Sequence, residues 1–88
     1  MVGRLQRTFG RNLRAHRQRL GLSQEAFADE LGVHRTYMGG VERGERNLTL
    51  QSVERIADQI GVHATDLLRV GGVSSRGASR RTPARRRR

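Results

Sequence analysis

The residues best suited to specific chemistry sit in one short run, His34-Arg35-Thr36-Tyr37. A planar guanidinium such as that of Arg35 can donate two parallel hydrogen bonds to O6 and N7 of guanine. Thr36 offers a hydroxyl and a methyl, which suit a base edge, a thymine methyl or a phosphate. His34 stands just ahead of them on the outward face and is expected to read bases with them. No rival chemistry emerges. His16, His34 and His63 are spaced by 18 and then 29 positions, too scattered to announce a metal site, and the chain has no Cys for a thiolate one. No nucleophile–base pair or paired carboxylate cluster stands out, so an enzyme is not expected, nor a cofactor. Gly39, Gly40 and Gly44 do not form a phosphate cradle, because no Lys-Ser or Lys-Thr follows them and no strand precedes them.

These residues need helices to hold them. The chain shows apolar spacings of three and four and no alternating run, which predicts an all-α fold. Leu5, Phe9, Leu13, His16 and Leu20 form one stripe of a first helix that Gly21 ends, with His16 packed through its ring as a partly buried member. Ser23 is the expected N-cap of a second helix carrying Phe27, Ala28 and Leu31. Gly32 permits a left-handed turn, and a third helix then runs from about His34 to Arg43. Phe27, Leu31, Met38 and Val41 are its shared core with the second helix, and Val33 plugs the corner. Two short helices joined by a tight glycine turn are a helix-turn-helix, whose second helix presents its N-terminal residues to the DNA major groove. Thr49 caps a fourth helix with Val53, Ile56, Ala57 and Ile60 inward. A weakly marked fifth is expected over Ala64–Arg69.

Charge points the same way. The 88 residues carry a net charge of +10, with 18 basic side chains, all Arg. Residues 1–70 hold 11 Arg and 8 acids, whereas 71–88 hold 7 Arg and no acid. The expected organisation is therefore a DNA-binding domain over 1–70 and a disordered Arg-rich tail over 71–88. Such a basic excess favours a polyanionic partner. No apolar run approaches the ~20 residues of a membrane span, and no secretory signal is expected.

The stretches LRAHRQRLGLSQEAFADELGV and HRTYMGGVERGERNLTLQSVERIADQIGV resemble the Cro/CI-type (XRE) family of bacterial and phage regulators. The resemblance implies a compact five-helix helix-turn-helix domain, a structural ion pair between Arg17 and Glu42, and a phosphate contact from Gln24. The phrase HRTYMGGVERGERNLTLQSVERIA is similar, more narrowly, to restriction–modification controller proteins. That similarity matches Arg35 and Thr36 to a base-reading pair, and Tyr37, Arg46 and Asn47 to residues near phosphates. Arg43 joins the phosphate candidates. Gly39 and Gly40 depart from the pattern, because such regulators usually carry at least one Ser, Asp or other polar residue there, and each costs about 1 kcal/mol of helix propensity relative to Ala; the basic tail departs from it too.

The expected function is sequence-specific binding of double-stranded DNA by a homodimeric repressor or autoregulator. Ile60, Val62, Leu67 and Leu68 are the expected dimer interface, by resemblance and because they bring apolar groups to the end of a short domain. No small-molecule effector is expected, and the location is cytoplasmic, for a bacterial or phage-encoded protein associated with the nucleoid when bound. Two alternatives stand beside this. One is an antitoxin-like or phage-type regulator with a protein partner. The other is a non-specific nucleic-acid-binding protein led by the tail.

Overall fold

The structure, a computed structural model, describes residues 3–72, so the expected tail lies outside the described residues from Val73 onward. The described residues form five helices in order: α1 Arg4–Arg19, α2 Gln24–Leu31, α3 Arg35–Glu42, α4 Leu50–Ile60 and α5 Ala64–Leu67. Among the described residues there is no strand. The starts of α2 and α4 are set locally. Ser23 accepts from the Ala26 N–H and Thr49 from the Ser52 N–H, each at 3.0 Å, which satisfies a donor that the first turn would leave orphaned. Gly32 closes α2 in the left-handed region at φ 71°, where a Cβ would be strained, and this turns the chain directly into α3.

Among the described residues twelve apolar side chains are buried, including Phe9 and Leu13 of α1, Phe27 and Leu31 of α2, Met38 and Val41 of α3, and Val53 and Ile56 of α4. Val33 is half-buried against this core, at the corner between α2 and α3. The first helix departs from its expected stripe. Leu5 and Leu20 are 60% and 52% exposed, while Thr8 and Asn12 are buried. At 16 residues α1 is about 24 Å long, twice the length of α2 or α3, and Leu20, just past its end, lines an open groove with Phe27 and Leu31 of α2 and Ile60 of α4. Gly10 allows the middle of α1 to meet the end of α3. A Cβ there would overlap the Val41 carbonyl oxygen and stand 2.6 Å from that of Glu42.

His16 is buried as expected, with its ring centroid 6.3 Å from that of Phe27. Its Nδ1 finds no hydrogen-bond partner among the described residues. Burial, and secondarily the charge of Arg19, hold its pKa below the ordinary histidine value.

The C-terminal end brings one correction. α5 stops at Leu67, two residues short of the expected Arg69. The buried Asn12 side chain closes it, donating to the carbonyls of Leu67 and Arg69 at 2.9 and 2.8 Å. Leu67 and Val62, two of the four residues expected at a dimer interface, are 0% and 7% exposed and pack into the chain's own core. Their inward packing leaves Ile60 and Leu68, which are half-buried at the edge of the core.

Candidate nucleic-acid interface

The start of α3 is built by His34. Its backbone is extended (φ −75°, ψ 145°), and its Nδ1 accepts from the Thr36 N–H at 3.1 Å. His34 is thus the N-cap of the helix, which leaves only its Nε2 edge for a ligand. Arg35 and Thr36 are the first two helical residues, and both are exposed. Met38 and Val41 sit on the opposite side and are fully buried, so the anchoring of one face turns the other outward.

The far end of α3 is fixed by charge. Arg17 Nε donates to Glu42 Oε2 at 2.7 Å, and the Arg17 Nη2 to Oε1 at 3.0 Å, a two-pronged pair. The Arg17 Nη1 donates to the Leu22 carbonyl at 2.9 Å. Only 13% of the Arg17 side chain and 3% of the Glu42 side chain is exposed. The hydrogen bonds to Glu42 push the pKa of Arg17 up, so the guanidinium stays charged. Gln24 completes the set, its Nε2 donating to Glu42 Oε1 at 3.0 Å. The residue expected at a phosphate is therefore half-buried and already holds α2 to α3.

The remaining candidates cluster beyond α3. Tyr37 is half-buried, with its ring against the core and the Arg46 guanidinium carbon 5.2 Å from the ring centroid. Arg43 is exposed and pairs with Glu45 at 3.1 Å. Such surface pairs hold about 0–1 kcal/mol, so Arg43 is easily recruited by another anion. Arg46 and Asn47 are exposed on the loop into α4. Sequence reading missed Gln6, whose Nε2 donates to the Arg46 carbonyl at 2.6 Å across 40 residues of chain. No local pattern signals such a bond. The tertiary fold thus brings Arg35, Thr36, Tyr37, Arg43, Arg46 and Asn47 along one helix and the loop that follows it. It leaves Gln24 tied to Glu42, and His34 as a cap.

A family profile described as "Helix-turn-helix domain" matches residues 8–70. Control protein C.BamHI of Bacillus amyloliquefaciens is 39% identical over 69 residues, covering 77% of this chain and 85% of that protein. Control protein C.SmaI of Serratia marcescens is 52% identical over 42 residues, covering 48% of this chain. The chain spans only half the length of that Serratia relative. Among solved structures, the restriction–modification controller protein C.AhdI of Aeromonas hydrophila superposes with a TM-score of 0.62 at 40% identity. That match covers 70% of this chain and 94% of the controller. No described helix is long and apolar enough to cross a membrane.

Proposed function

The chain belongs to the helix-turn-helix domain family, of the XRE type, and from that premise we propose that it is a restriction–modification controller acting as a homodimer on double-stranded DNA. It is a sequence-specific DNA-binding transcriptional regulator and not an enzyme. The DNA-binding domain covers residues 1–70, and the Arg-rich remainder adds attraction for any duplex. Within the domain, α3 lies in the major groove. Arg35 donates to a guanine edge, and Thr36 reads its neighbour. Tyr37, Arg43, Arg46 and Asn47 hold the flanking phosphates, which fix register without carrying sequence information. Gln24 supports them through a donor not given to Glu42. The protein works in the cytoplasm of a bacterium or phage host. The names of the control-protein relatives favour this reading over an antitoxin-like one.

One observation carries the proposal. The His34-capped turn presents Arg35 and Thr36 outward at the start of a helix whose other face is locked by Met38 and Val41. One such helix contacts only a few base pairs, too few to select a site in a genome. Two copies related by a two-fold axis double the read and require half-sites roughly 34 Å apart. Ile60 and Leu68 are the residues we place at the dimer contact.

The test is selection of bound duplexes from a random pool at stated salt. We expect enrichment of two-fold symmetric sites. Arg35→Ala should cost about 1–3 kcal/mol on the selected site and relax preference at one base pair in each half. Random duplexes that compete as well as selected ones would overturn specificity. A monomer at tens of micromolar, both free and on DNA, would overturn the dimer.

A further inference from the structure

We propose that Gly40 is a seat for Arg46, and that this seat, completed by the Tyr37 ring, holds the Arg46 guanidinium ready for a DNA phosphate. The proposal rests on the reading of α3 given above and adds a positioning residue to it. Gly40 lies one helical turn after Thr36, so it faces the same way as that exposed side chain. A side chain at this position would project beside Thr36. Arg46 fills the space instead. An ideal Cβ on Gly40 would stand 3.1 Å from the Arg46 Nε, 3.2 Å from its Cγ and 3.6 Å from its Cδ.

Three contacts from two helices converge on this one arginine. Its stem crosses α3 at Gly40. Its guanidinium carbon lies 5.2 Å from the centroid of Tyr37, three residues before Gly40 on α3. Its backbone carbonyl accepts the 2.6 Å hydrogen bond from Gln6 of α1. A long Arg side chain normally loses much rotamer freedom when it binds, and a pre-seated one loses less. A charge-assisted bond from its terminal N–H groups to a phosphate oxygen then forms with little rearrangement. Glycine inside a helix is disfavoured against alanine, so the missing methyl at Gly40 has a physical use here that helix propensity alone would not supply. Gly39 makes a lesser version of the same gap. A Cβ there would stand 3.1 Å from the Arg43 Nη1, but Arg43 is held by Glu45 as well.

The experiment compares the full chain with Gly40→Ala, Arg46→Ala and the double variant, on the selected duplex and on a random one. Each single variant should weaken both duplexes about fivefold or more and lower the log–log salt slope by about 1. Gly40→Ala should add nothing in the Arg46→Ala background. Its melting temperature should not fall, because alanine is the better helix former, and this separates a lost seat from a lost fold. In the free protein the Tyr37 ring should shift the Arg46 methylene protons upfield, and Gly40→Ala should return them to ordinary positions. Wild-type binding by Gly40→Ala would overturn the proposal. So would unshifted Arg46 protons in the unaltered chain, or a Gly40→Ala loss that persists without Arg46, which would mean that the methyl meets DNA directly. Failure of the DNA reading would appear separately, as an Arg35→Ala protein that keeps its sequence preference, and the free-protein shifts would still decide the seat.

Discussion

Arg17→Ala should cost this domain much of its stability. Glu42 receives three hydrogen bonds, two from Arg17 at 2.7 and 3.0 Å and one from Gln24 at 3.0 Å. With its side chain 3% exposed, it has almost no access to water that could replace them. Removing Arg17 leaves a buried carboxylate held by a single neutral amide. Breaking a buried pair in this way costs about 3–5 kcal/mol, because the partner's charge is left uncompensated. For a domain of this size each kcal/mol moves Tm by about 4–8 °C, so the midpoint should fall by at least about 12 °C. Urea titration and thermal melts followed by circular dichroism measure both quantities. Added salt should recover little of the difference, since buried pairs are weakly screened. Replacing both partners, Arg17→Met with Glu42→Leu, should lose far less, because no lone charge remains. A loss below about 1 kcal/mol for Arg17→Ala would place the pair in the range of solvated surface pairs and refute the reasoning.

Further consequences concern packing, protons and counterions. Gly10→Ala puts a methyl against the Val41 and Glu42 carbonyls, so α1 must move off α3. We expect a loss of about 1–3 kcal/mol by urea titration, the range for overpacked cores, and an unchanged midpoint would contradict the close approach. His16 has a lowered pKa in the folded chain, so the unfolded chain takes up its proton first as pH falls through 6.5. Stability is full above that value and should drop by up to about 1.4 kcal/mol per pH unit below it, until the buried ring itself titrates. Urea midpoints at neutral and mildly acid pH check this, and His16→Leu should flatten the difference between them. Deleting residues 73–88 removes 7 Arg. If about half of them meet phosphates, the log–log salt slope should fall by roughly 3, with sequence preference retained. A truncated protein with the full slope would show that the tail makes no such contacts.

Local pattern settled a large part of this protein. Spacings of three and four located α1 to α4 because side chains that recur at the helical period share a face whatever else surrounds them. Ser23, Thr49 and Gly32 marked ends because capping needs only neighbours in sequence. Arg35 and Thr36 were legible as outward residues because Met38 and Val41, a few positions on, occupy the inward side. The docking of helices decided the rest. Leu5 and Leu20 continue the apolar period of α1 yet stay largely exposed at its ends, and Val62 and Leu67 end the domain yet point inward. Asn12 closes α5 from 55 residues away, and Gln6 holds the Arg46 loop from 40. Gly10 and Gly40 matter for what approaches them through space. Periodicity reports which face of a helix is apolar. How far a neighbour covers that face, and which distant polar group meets it, depends on helix lengths and crossing positions that exist only once the chain has packed.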